Sequence, residues 1–320
     1  MKQMNNISPI DYITEINRMR VEKNAIILAH YYQTGDIQDI ADFVGDSLAL
    51  SQKAAANNAD IILFAGVKFM AETAKILAPE KKVLLPDLNA GCSLADSCKP
   101  DDFKKFLKDN PGRTVVSYVN TTAEIKALSD IICTSSNAIQ IVNSLPPGEK
   151  IIFAPDRNLG NYVLNKTGRD IIVWNGTCHV HEEFSLEAII NLKKENPEAK
   201  IIVHPECEMP VRLVADFIGS TSALLQFTKK DNGNCYIVAT EAGIIHQMKK
   251  ENPGKTYIPA PPRDSTCGCS ECGFMKLITV KKIYTCLKNE EPEIFLDEDI
   301  LFKAQKPIKR MMDISEKLGL

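Results

Sequence analysis

Residues 25–32, AIILAHYY, open a pattern that the chain repeats at 114–120, TVVSYVN, and 200–206, KIIVHPE. Each is a short apolar run that ends on a polar or aromatic group: His30, Tyr118 and His204. Seventeen residues beyond each of these stands a hydroxyl, at Ser47, Ser135 and Thr221. A cysteine closes each unit, at Cys92, Cys178 and Cys272. The cysteines are 86 and 94 residues apart, and the strand ends 88 and 86. A near-constant period across polar and apolar positions predicts repeated supersecondary units that meet at one centre. Three thiolates converging there make a metal site with one coordination position left open.

Around these runs, apolar strands alternate with helical stripes. Ile37, Ile40, Ala41 and Val44 fall at i, i+3, i+4 and i+7, which predicts a helix. The strand IILFAG, a helix through Val67, Met70, Ala71, Ala74 and Leu77, and the strand KVLLPD lead to the loop of Cys92. The second unit reads as TVVSYVN, a helix through TAEIKALS, a short DIICT, a helix from Ser135, KIIFAPD, a helix near LGNYVLN and DIIVW. The third reads as KIIVHPE, a helix with Val211, Val214 and Ile218, a helix from Ser220, CYIVAT, a further helix and TYIPA.

Such alternation predicts an α/β fold of three pseudo-symmetric, three-layer αβα domains, with buried parallel sheets around a central site. The expected domains are 1–105, 106–192 and 193–299. A closing helix at 300–320, with Pro307 suited to its first turn, is expected to pack back on the first domain. Ligands of such sheets bind beyond the carboxyl ends of the strands, where the strand-end residues, hydroxyls and cysteines all fall.

Composition narrows the function. The 320 residues are 44% apolar and 25% charged, with a net charge of −3. That balance carries no electrostatic footprint for nucleic acid or an anionic membrane. The first twenty residues have no apolar signal core, and no uncharged apolar stretch approaches the ~20 residues of a membrane span, so a cytoplasmic protein is expected. Ten cysteines in a chain this long point to a reducing compartment, not to a disulfide framework.

Cys133, Cys235 and Cys286 lie in apolar or helical runs and read as core. Cys98 and Cys207 have no counterparts in the other units. Cys269-Ser-Glu-Cys272 is a local CxxC with Cys267 beside it, open to a half zinc site, a redox pair, or one ligand with a bystander. Cys272 is favoured as the ligand because a helical run follows it. Structural zinc usually takes four closely spaced ligands, whereas these candidates are roughly 90 residues apart. A cubane iron–sulfur cluster held by three thiolates keeps one iron free as a Lewis acid.

The segments AHYYQ, IQDIADFVGDSL, GVKFMAETAKIL, LLPDLNAGCSLAD, YVNTTAEIKALSDIICTSSNA, IIFAPDRNLG, WNGTCHVHE, VHPEC and the final CxxCGFMKL together resemble the quinolinate synthase family along nearly the whole chain. The resemblance implies a 4Fe-4S cluster on Cys92, Cys178 and Cys272. It implies condensation of iminosuccinate, made by an aspartate-oxidising enzyme, with dihydroxyacetone phosphate to quinolinate, phosphate and water. Some members carry a further cysteine where this chain has Thr266, so a thiol switch here is restricted to Cys269 and Cys272.

Within that frame, Ser47, Ser135, Ser220 and Thr221 are expected at helix N-termini, where hydroxyl and N–H groups suit carboxylate or phosphate. His30, Tyr118, Asn120, His181 and His204 are expected to bind substrate. Glu206, with Tyr32 or His204, is expected to move protons from a carboxyl raised toward neutral pKa by a dry site. Met70 and Glu72 are candidates for the cavity wall, with helix-core packing an equal reading of Met70. His179 carries less support, and His246 reads as surface or core. The rivals are another 4Fe-4S hydro-lyase acting on a hydroxy acid, and a non-catalytic metal or redox sensor.

Overall fold

A computed structural model describes residues 11–264 and 270–320. Thr266, Cys267 and Cys269, and with them the disulfide question, lie outside the described residues. Twelve strands form three four-stranded parallel sheets among the described residues. The first holds β1 (Ala25–His30), β2 (Phe43–Gly45), β3 (Ile61–Ala65) and β4 (Lys82–Leu84). The second holds β5 (Thr114–Tyr118), β6 (Ile131–Cys133), β7 (Ile151–Ala154) and β8 (Ile171–Val173). The third holds β9 (Lys200–Val203), β10 (Phe217–Ile218), β11 (Cys235–Ala239) and β12 (Thr256–Pro259).

All three sheets have one strand order: β2-β1-β3-β4, β6-β5-β7-β8 and β10-β9-β11-β12. β3, β7 and β11 are buried along their full length, as expected of strands covered by helices on both faces. In this order the chain turns one way after the first strand of each sheet and the other way after the second. The crevice between first and third strands is the topological switch point, where such sheets bind ligands.

An aspartate repeats with the sheets. Asp42, Asp130 and Asp216 each stand just before the short second strand. Each carboxylate accepts a backbone N–H of the first strand, from Ile27, Val115 and Ile201, at 2.8 Å. These carboxylates tie the edge strand to the central strand in every unit.

Two expectations change here. The run through Val44 is helical only over Gly35–Ile40; Phe43–Gly45 pairs with β1, and Phe217–Ile218 likewise pairs with β9. The last helix begins at Glu298, where the Asp297 carboxylate accepts the N–H groups of Asp299 and Ile300, and it carries Pro307 buried in its interior. This helix is seated on β6 and the helix Ala123–Ala127, with a flank on the helix Lys68–Leu77 of the first unit. Asn137 donates to Ser315 Oγ at 2.9 Å, and Gln52 donates to the Leu320 carbonyl at 3.0 Å. One apolar core runs through the first two units and this helix, while the third unit packs around cores of its own.

Candidate active site

The three switch points face one another across one cavity. His30 ends β1, Tyr118 ends β5 and His204 follows β9, and all three are buried in its wall. Tyr32, Asn120 and Glu206, each two residues further on, line it as well. Cys92, Cys178 and Cys272, drawn from three separate loops, open on the same space. The convergence inferred from the repeat is what the fold builds.

Each of the three sulfurs precedes a short helical turn: Ser93–Asp96, His179–Glu182 and Met275–Leu277. Backbone N–H groups of Ala95 and Leu94 face Cys92, that of His181 faces Cys178, and those of Met275 and Phe274 face Cys272. The helical run expected after Cys272 is thus a single 3₁₀ turn, and the same device serves all three cysteines. Burial nevertheless pushes the Cys92 thiol up to about 12, and raises Cys178 and Cys272. Three apposed thiolates in a dry cavity need a cation among them, because a bound metal offsets both desolvation and mutual repulsion. The donor set therefore fits a thiolate-bound metal group. Cys98, Cys133, Cys207, Cys235 and Cys286 are buried in the packing and take no part.

Glu206 sits at the centre of a buried polar group. Tyr118 donates its hydroxyl to Glu206 Oε1 at 2.5 Å, and His181 Nδ1 lies 3.3 Å from Oε2. His181 Nδ1 is also 3.2 Å from the Cys178 sulfur, while Nε2 meets Thr240 Oγ1 at 3.0 Å. His181 and His204 stack with ring centroids 4.6 Å apart. Burial opposes charge on Glu206, but the adjoining His181 and His204 rings and the donated Tyr118 hydroxyl outweigh it and hold the carboxyl below its ordinary value. The expectation of a raised pKa fails: a dry pocket raises a carboxyl only when donors do not surround it.

The two strand-end histidines are matched. The N–H of Tyr32 donates to His30 Nδ1 at 3.2 Å, and the N–H of Glu206 donates to His204 Nδ1 at 3.3 Å. Burial holds His30 at about 4 and His204 at about 3. Each is neutral at pH 7, with its proton assigned to Nε2 by the bond that Nδ1 accepts. Neither Nε2 has a partner among the described residues. The Tyr32 hydroxyl bonds Thr221 Oγ1 at 2.8 Å and Thr240 Oγ1 at 2.9 Å, and burial raises its pKa well above the ordinary value. Asn120 Oδ1 is buried and unpartnered, an acceptor left for a ligand.

The hydroxyl positions divide. Ser47 and Thr221 open the helices Ser47–Ala55 and Thr221–Lys230, and both line the cavity. Ser135 lines it and bonds the Tyr118 hydroxyl, but the next helix starts at Ala138, so Ser135 is not at a helix N-terminus. Asn137 intervenes because its side chain accepts the Thr134 N–H at 2.6 Å, folding the chain into a turn first. Ser220 is no wall residue; its hydroxyl accepts the Ala223 N–H at 3.3 Å as a helix cap. Met70 lines the cavity, whereas Glu72 turns away and accepts the Ala123 N–H at 3.0 Å. His179 bonds Ser93 Oγ at 2.8 Å, and His246 pairs with Asp39 at 3.0 Å on the surface.

Sequence reasoning missed Asp46 and Glu241. Asp46 lines the cavity and accepts from Ser136 Oγ at 2.6 Å. Glu241 also lines it and accepts the Cys272 N–H at 3.0 Å. No lysine or arginine lines the cavity among the described residues, so anions there must be met by hydroxyls, amides, imidazole N–H groups and helix ends.

A cavity at three sheet ends, with three thiols and a buried carboxylate–imidazole group in its wall, is the site of an enzyme for small substrates that can hold a metal. The family model described as Quinolinate synthetase A protein matches residues 14–313. A quinolinate synthase of Rippkaea orientalis (strain PCC 8801 / RF-1) is 60% identical over 310 residues, 97% of this chain and 95% of that one. Quinolinate synthases of Microcystis aeruginosa (strain NIES-843 / IAM M-2473) and Gloeothece citriformis (strain PCC 7424) are 59% and 58% identical, covering 96% and 98% of this chain and 96% and 97% of their own lengths. The chain belongs to the quinolinate synthetase A family, enzymes of NAD biosynthesis. No helix among the described residues is long and apolar enough to cross a membrane.

Proposed function

We propose that this cavity condenses iminosuccinate with dihydroxyacetone phosphate to give quinolinate, phosphate and water, in the cytoplasm. The observation that carries the reading is the meeting of Cys92, Cys178 and Cys272 on one cavity that also contains the Glu206 group. These cysteines are the ligands of a 4Fe-4S cluster. When bound, it supplies an iron without a protein ligand, a Lewis acid for a carboxylate or hydroxyl oxygen.

The chain's own residues divide the remaining work. The Nε2–H groups of His30 and His204 donate to substrate oxygens without adding charge. Asn120 Oδ1 accepts the imine or enamine N–H, the match its missing partner calls for. The hydroxyls of Ser47, Ser135 and Thr221, with the free N–H groups at the two helix starts, receive carboxylate and phosphate. Glu206, ionised, takes the proton from carbon or nitrogen at Oε1 or Oε2. Tyr118 and His181 stabilise its charge, Glu206 then gives that proton to the departing hydroxyl, and the neutral Tyr32 phenol hydrogen-bonds the leaving oxygen. Iminosuccinate comes from an aspartate-oxidising enzyme.

A second reading has one observation in its favour: ligand atoms of Cys178, His181 and Glu206 lie within 4.8 Å of one another, a set that suits a single divalent ion. The test is anaerobic reconstitution with iron and sulfide, followed by assay with both substrates. Quinolinate and phosphate appearing together, dependent on iron and sulfide, support the proposal. Turnover with zinc alone, or no quinolinate, refutes it.

A further inference from the structure

Two buried carboxylates share one position of the repeat. The third strand of each unit ends in alanine, at Ala65, Ala154 and Ala239, and two residues further on stand Val67, Asp156 and Glu241. Glu241 is 0% exposed, and its Oε1 accepts the Cys272 N–H at 3.0 Å. Its Oε2 accepts the Gly243 N–H at 2.7 Å, and a side chain at Gly243 would stand 2.8 Å from that oxygen. Lys276 Nζ lies 3.0 Å from Oε1 and donates to the Tyr32 carbonyl at 2.7 Å, joining this corner to the first unit.

Asp156 is also 0% exposed. Its Oδ1 accepts the Leu159 N–H at 2.6 Å, the Cys178 N–H faces the carboxylate, and Oδ2 has no hydrogen-bond partner among the described residues. Gly176, two residues before Cys178, donates to the Pro155 carbonyl at 3.0 Å and leaves no room for a side chain. The first unit has Val67 instead, and there the neighbouring Lys68 donates its N–H to the Ala90 carbonyl of the cysteine loop at 2.7 Å. A buried carboxylate is costly to keep. The chain buries two such carboxyl groups, Glu241 bonded to the amide of Cys272 and Asp156 bridged to Gly176 in the loop of Cys178.

We infer that Asp156 and Glu241 are positioning residues for the loops presenting two of the three metal-binding sulfurs, Glu241 through the backbone N–H of Cys272 and Asp156 from its place beside Gly176 of the Cys178 loop. The inference rests on the cluster reading above. Groups that orient metal ligands from outside typically govern retention of the metal by tenfold to hundredfold.

The test uses the full chain, reconstituted anaerobically with iron and sulfide and then challenged with an iron chelator while visible absorbance and released iron are followed. Glu241→Met and Asp156→Leu fill the space but accept nothing. Glu241→Gln and Asp156→Asn keep an acceptor oxygen. Circular dichroism of each cluster-free variant checks the fold. The expected result is iron loss about tenfold or more faster for Met and Leu, with Gln and Asn returning most of the way to the unsubstituted chain. Equal rates throughout overturn the inference, as do Gln and Asn variants that lose iron as fast as Met and Leu. Should Glu241→Met not fold, the Asp156 pair decides by the same comparison. An unsubstituted chain that takes up no iron and sulfide overturns the cluster reading and this one with it.

Discussion

Replacing His30 with Asn keeps an acceptor near the Tyr32 N–H and removes a group that titrates. Burial holds the His30 imidazole at about 4, against ~6.5 for histidine in an unfolded chain. Between those values the unfolded chain binds a proton that the folded chain refuses, so stability is fully present above ~6.5 and is lost as the pH falls toward 4. Taking one pKa unit as ~1.4 kcal/mol, the contribution lost between pH 7.5 and 5.0 is about 2 kcal/mol. His204, held at about 3 beside Glu206, stays in both proteins, so the difference between them isolates His30. Urea unfolding of the cluster-free chain under reducing conditions, at the two pH values, measures it. The unsubstituted chain should lose about 2 kcal/mol more than His30→Asn over that interval. Equal losses would mean that His30 is not held neutral by burial, and its assignment as an uncharged donor would fall.

Three further outcomes follow from the same geometry. Glu206→Gln removes the charge and keeps the size, so iron content should hold while turnover drops by ~10²–10⁴; unchanged turnover rejects Glu206 as proton acceptor. Tyr118→Phe removes the 2.5 Å donor to a buried carboxylate and should destabilise the fold by ~1–3 kcal/mol in urea titration, with a loss near zero counting against that bond. Asn120→Ala deletes an oxygen with no protein partner, so stability should hardly move while KM rises roughly tenfold; an unaltered KM removes Asn120 from substrate binding.

The repeat made the strand ends and the three cysteines legible, because both recur at a period that side-chain chemistry alone would not preserve. The edge strands Phe43–Gly45 and Phe217–Ile218 were not legible as strands. Runs this short carry no periodicity of their own, and Val44 happens to continue the helical stripe before it. The aspartates that anchor them, Asp42, Asp130 and Asp216, do repeat, and comparing all three units position by position exposes both features.

Asp156 and Glu241 escaped for the opposite reason: their first-unit counterpart is Val67, so no threefold pattern marks them. Ser135 was misplaced because Asn137 takes up the Thr134 N–H and delays the helix, a local bond that spacing does not reveal. The direction of the Glu206 shift is beyond sequence altogether. It depends on Tyr118 and His181 arriving from another unit at hydrogen-bond distance.

The most direct test is iron and sulfide analysis of the anaerobically reconstituted chain beside Cys92→Ser, Cys178→Ser and Cys272→Ser. One cluster on three thiolates predicts ~4 iron and ~4 sulfide per unsubstituted chain, and loss of both in every single variant. A full complement retained by any one of the three variants would contradict the account.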